Sequence, residues 1–168
     1  VIIAGTGTIT ANEAKVFNAS VPLTVQSGAT LAMSTYLLTL NGDLVNNGGT
    51  TSGSGGVTIA GTGTQSIGAF TTTGTVSMTK TGGTATFTGD VNGAALTING
   101  SGGILNLGTG LTHTFTGTWT RTAGALNCSS STLKLGGSVS GTGGTFTAGT
   151  GTVEYNASGA QTLALVSY

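Results

Sequence analysis

Val57-Thr-Ile-Ala-Gly-Thr-Gly-Thr-Gln-Ser-Ile67 returns as Leu105-Asn-Leu-Gly-Thr-Gly-Leu-Thr-His-Thr-Phe115 and again as Val153-Glu-Tyr-Asn-Ala-Ser-Gly-Ala-Gln-Thr-Leu163. A shorter copy, Val1-Ile-Ile-Ala-Gly-Thr-Gly-Thr8, opens the chain. Each phrase joins an apolar–polar–apolar triplet to a Gly/Thr/Ser turn. In the last three copies a Gln or His then stands two residues before another apolar residue. Three apolar sets recur at one constant interval along the chain: Val57, Leu105, Val153; Ile59, Leu107, Tyr155; and Ile67, Phe115, Leu163. Apolar residues two apart point to one side of a strand, so each triplet reads as a short strand with one buried face. The repetition predicts architecture, and each set is expected to stack as a column.

Working outward, 57–104 and 105–152 align without a gap, residues 1–56 form a longer first copy, and 153–168 a partial one. Leu38-Thr-Leu-Asn-Gly-Asp-Leu44 matches Ala85-Thr-Phe-Thr-Gly-Asp-Val91 and Leu133-Lys-Leu-Gly-Gly-Ser-Val139. The Gly of each supplies a turn or bulge where a Cβ would clash. Short strands and glycine turns recurring at this interval indicate a β-solenoid or a propeller. Three and a half blades would not close a ring. The expectation is therefore an all-β parallel β-helix forming one domain over 1–168. Each repeat unit is assigned two coils of about 24 residues, and about seven coils make a rod of about 34 Å at the usual strand spacing. The surplus of the first copy, within 10–24, is read as an inserted loop or cap, with a lateral contact as the alternative. Pro22 marks an edge or turn there, because it cannot donate to a ladder.

The composition narrows function by exclusion. Of 168 residues only 5% are charged, net charge is zero and mean hydropathy is +0.30. Ordinary domains carry about a quarter charged residues; here Thr and Ser face water instead. Lys15, Lys80, Arg121 and Lys134 are scattered, so no basic stripe exists to meet nucleic-acid phosphates. No apolar run approaches the roughly 18 residues of a membrane helix. The strands look too short, and the aromatics too few, for a membrane barrel. Cys128 is alone and reads as a small buried hydrophobe in a column with Met33. The chain has no signal-like segment. Its Thr/Ser/Gly-rich, charge-poor composition suits an exported bacterial or archaeal protein, processed or cut from a longer chain.

Candidate sites are few. Gln65, His113 and Gln161 are expected to face inward as one polar column that satisfies turn amides. A metal would need converging His, Cys or carboxylates, and His113 is the only His. Asp43, Asp90 and Ser138 share a turn position. Two coils apart, the two acids would sit about 9–10 Å from each other, near the wide limit for an inverting glycosidase; turn chemistry is the simpler account. Glu13, Glu154, Lys80 and Arg121 read as isolated solvated groups. The Gly-Thr-Gly pieces lack the helix and the Gly-Lys-Ser/Thr of a phosphate loop. Asn18, Asn99, Asn127 and Asn156 are candidate N-glycosylation acceptors at roughly chance frequency. No catalytic residue and no cofactor is expected. Thr-x-Thr pairs such as Thr62/Thr64 and Thr112/Thr114/Thr116 raise ice binding. The repeat interval, however, sets Thr84 on Thr132 but Thr86 on Lys134, which breaks the grid.

The phrases Leu38–Gly49 and Gly144–Leu163 resemble the β-solenoid repeats of large bacterial extracellular surface proteins, the adhesins and autotransporter-like passenger domains. The resemblance implies a secreted or surface-displayed structural protein with no catalytic residues to carry over. Such proteins run to many repeats, so three and a half copies and an open last coil at Tyr168 imply end-to-end assembly of copies into a fibre or surface layer. An adhesin fragment binding glycans or a host surface is the alternative, although Trp119, Tyr36, Tyr155 and Tyr168 are dispersed. A polysaccharide lyase, which uses the same fold, would need converging acidic and basic groups.

Overall fold

The computed structural model describes residues 1–164, so Tyr168 lies outside the described residues. All the regular structure among them is β, in a solenoid of about eight turns. Three strands per turn build three walls, and every ladder is parallel. The first wall stacks Lys15–Phe17, Leu38–Leu40, Val57–Ile59, Thr75–Met78, the starts of Ala95–Asn106 and Trp119–Asn127, and Val139–Ser140. The second stacks Ile2–Ile3, Leu23–Gln26, Leu44–Asn47, Gln65–Ile67, Thr84–Phe87, the ends of the same two long strands, and Thr145–Thr147. The third holds Thr8–Thr10, Thr30–Ala32 and Thr50–Ser52, then Phe70–Thr71, Val91–Gly93, Thr112–Phe115, Thr132–Leu135 and Thr152–Tyr155. Between its two ladders, Thr51 Oγ1 bridges the break by accepting the Thr71 N–H at 2.9 Å. A void of about 10 Å³ lies beneath, lined by Leu31, Leu44, Val57 and Phe70 among others. That is at the lower limit for one water molecule.

The strands form where the sequence alternates, and the apolar member of each pair turns inward. Val57, Val76, Leu96, Trp119 and Val139 stack on the first wall in five successive turns. All five are buried. Stacking like on like fills the prism at strand spacing, the geometry that parallel walls require.

The ladder registers correct the expected coil, which is too long. Bonded neighbours on adjacent turns, such as Thr51 with Thr71 and Thr120 with Ser140, stand 20 residues apart. The repeat unit therefore makes two turns plus one wall. Val57 lies on the first wall, Leu105 on the second and Val153 on the third. Ile67, Phe115 and Leu163 likewise fall on the second, third and first. Val57, Leu105, Ile59, Leu107, Ile67 and Phe115 are buried, Val153 and Tyr155 partly so, and Leu163 is exposed. The repeated residues are thus equivalent by rotation around the prism, and do not stack as columns. Residues 10–24, read as an inserted loop or cap, hold Lys15–Phe17 and the start of Leu23–Gln26, both wound into the ladders.

Candidate functional site: the corner groups

Gln65, His113 and Gln161 do not form one column. They stand where the chain enters the second, third and first walls, one corner each. Gln65 is buried, and its Nε2 donates to Leu40 O at 3.1 Å and Gly42 O at 2.9 Å of the preceding turn. Gln161 repeats the contact, donating to Leu135 O at 3.0 Å and Gly137 O at 2.7 Å, while its Oε1 accepts the Ala157 N–H. His113 solves the same problem differently. Its Nδ1 accepts the Val91 N–H at 3.1 Å, so Nε2 carries the proton and donates to Leu107 O at 2.8 Å. The ring packs on Phe87 at a centroid distance of 5.0 Å. Burial holds its pKa below the ordinary 6.5, against the opposing pull of the Leu107 carbonyl and the Asp90 charge. Each of these side chains adds a bond to backbone groups at its corner, where Leu40 O and Leu135 O also accept the Ala60 and Asn156 N–H of the next turn.

Asp43, Asp90 and Ser138 form a second equivalent set on the outside of the same three corners. Asp43 Oδ1 accepts the Ser66 N–H at 2.8 Å, Asp90 Oδ1 the Thr112 N–H at 2.9 Å, and Ser138 Oγ the Thr162 N–H at 2.9 Å. Each reaches the next turn rather than its own backbone. Because Asp43 and Asp90 occupy different corners, they do not stack two coils apart, and the alternative of a carboxylate pair finds no geometry here.

Lys80 and Arg121 overturn their reading as solvated groups. Lys80 is fully buried. Its Nζ donates to Ala60 O at 3.3 Å, Gly63 O at 2.8 Å and Gln65 Oε1 at 2.5 Å, so an ammonium finds three acceptors and no carboxylate. Desolvation holds its pKa below the ordinary 10.5. Arg121 is 7% exposed and lies over the Trp119 ring at 5.6 Å, with Nη2 donating to Gly144 O. Alternation carried the signal for both: Val76, Met78, Lys80 and Trp119, Arg121 continue the inward parity. Trp119 Nε1 is buried without a partner among the described residues. Burying about 200 Å² of indole at about 25 cal/mol/Å² is worth about 5 kcal/mol. That outweighs the roughly 1–3 kcal/mol of an unpaired donor. Glu13 and Glu154 are not isolated either. They pair on the surface with Lys15 at 2.8 Å and Lys134 at 3.2 Å.

The remaining candidates disperse. Asn18, Asn99 and Asn156 are exposed; Asn127 is half-buried, and its Oδ1 accepts the Ser129 N–H at 2.8 Å. Cys128 is buried, and burial pushes its thiol up to about 11. It sits at the corner after the second wall, whereas Met33 follows the third, so the two share a turn type but no column. Among the described residues no three His, Cys, Asp or Glu converge, and no helix is long and apolar enough to cross a membrane. No protein-family model, curated protein or solved structure matches the chain. What these side chains do together is bond each turn to its neighbour.

Proposed function

We propose that the chain is a structural segment of a secreted or surface-displayed bacterial protein, a β-solenoid rod that assembles end to end with copies of itself into a fibre or surface layer. One observation carries the reading. The polar groups that recur with the repeat, at the Gln65 and Asp43 positions and their equivalents, are engaged in joining turn to turn. Side chains held this way stiffen a wall. A charge content of 5% adds support, because parallel walls can add further strands with little charge repulsion. The exposed Asn18 and Asn156 would carry glycans in such a setting. Electron microscopy of the concentrated protein, with sedimentation alongside, tests it. Filaments of constant width are expected; short monodisperse particles at high concentration would refute assembly.

The second reading, an adhesin segment that holds a glycan, draws on two adjoining shallow grooves on the third wall. They share Thr71 and Asn92 and are flanked by Asp90, Thr73 and Thr114. Asp90 and Asn92 already accept backbone N–H bonds through Oδ1, and their second polar atoms bond no other group among the described residues. A glycan array scored against Asn92→Ala separates the two readings.

A further inference from the structure

The outward positions of the first wall form a ladder that the sequence interval hides. Val16, Thr39, Thr58, Ser77, Thr97, Thr120 and Ser140 lie directly against one another on successive turns. Six consecutive turns therefore present a hydroxyl at the same place, all partly exposed. Two residues further along, Asn41, Ala60, Thr79 and Asn99 make a second neutral column. No ionisable residue occupies either column. Thr120 and Ser140 bond each other at 3.2 Å. The hydroxyls of Thr39, Thr58, Ser77 and Thr97 bond no other group among the described residues. The register also removes the objection raised by the sequence: Thr86 meets Asn106 and Lys134 meets Thr114 and Glu154, on other walls.

We infer that this wall binds ice. Along the ladder, hydroxyls repeat at about 4.8 Å, and across it the two columns stand about 6.7 Å apart, both set by parallel strand geometry. Hexagonal ice repeats its oxygens at nearly these two intervals along its a and c axes. A rigid row of hydroxyls, four of the six unpaired, with the methyl groups of Thr39, Thr58, Thr97 and Thr120 among them, orders the adjoining water in that pattern before contact. An ice surface is uncharged, and so are the two columns. A mineral lattice would call for charge. The flat of a crystalline polysaccharide would call for aromatic rings, which these positions lack. The hydroxyl ladder is unbroken over six turns on the first-wall exterior alone, because the second-wall rows run through Ile104 and Ala125 or through Asn106 and Asn127, and the third wall's through Lys134 and Glu154.

The test uses the purified chain in an ice-recrystallisation assay, with crystal shaping watched under a nanolitre stage. The wild type is expected to arrest crystal growth and facet the crystals. Thr97→Lys and, independently, Thr58→Lys should lose the effect while keeping the wild-type circular dichroism. Thr86→Lys, on the second wall, should retain it. A wild type no different from an inert protein at equal mass concentration overturns the inference. So does equal loss in Thr86→Lys. A wild-type dimer that Thr97→Lys dissociates, without any effect on ice, would instead make the wall a contact between copies and equally refute ice binding. None of these outcomes depends on whether rods join end to end.

Discussion

His113 shows how much a single side chain carries in this fold. It is the only His in the chain, so proton-linked stability between pH 5 and 7 reports chiefly on it. Its folded pKa is lowered, so the unfolded chain binds the proton first as pH falls below 6.5. The stability it contributes is present above 6.5 and is lost as pH drops towards and through the folded value. Urea midpoints measured from pH 7 to pH 5 should fall in the wild type and stay level in His113→Gln. Gln is the natural choice, since it serves the other two corners. His113→Ala should cost about 1–3 kcal/mol at pH 7, the penalty for unpaired buried groups, and His113→Gln less. Cys128 gives a second residue-scale expectation. A buried thiol pushed up to about 11 is neutral at pH 8 and shielded. Maleimide labelling should therefore wait on unfolding; rapid labelling of the native protein would contradict its placement.

At the scale of the turn, corners are set by steric room. A Cβ at Gly143 would run into the Thr122 carbonyl oxygen, and one at Gly55 into that of Tyr36, because each turn crosses directly over the last. Gly63 has nothing within 4 Å of such a Cβ. Gly143→Ala and Gly55→Ala should therefore lose about 1–3 kcal/mol to overpacking against backbone that cannot swing aside. Gly63→Ala should stay within about 0.5 kcal/mol of wild type. Denaturant titration of the three variants decides it, and equal losses at all three would sink the account. Glycine positions were visible in the sequence. Which of them meets the neighbouring turn was not, since that depends on what the preceding turn places beneath each corner.

For the whole molecule, each strand among the described residues pairs only with strands of the turns beside it, so stability accumulates by neighbours. Hydrogen exchange of the whole chain should be slowest in the central strands, Thr84–Phe87 and Ala95–Asn106, which have ladders on both sides. It should be fastest in Thr8–Thr10 and Lys15–Phe17, which pair on one side only. Uniform protection would mean a single cooperative unit instead. The sequence alone determined the β-solenoid class, the inward parity of Val57 or Phe115 and the places of the turns, because alternation and glycine chemistry are local. Parity also held the burial of Lys80 and Arg121, where their charge obscured it. Only the tertiary structure decided which residues stack. A periodic pattern counts residues along the chain, whereas the length of a turn is set by how corners close and ladders register. Those are contacts between distant residues, and they turned the repeat from two coils into two turns and one wall.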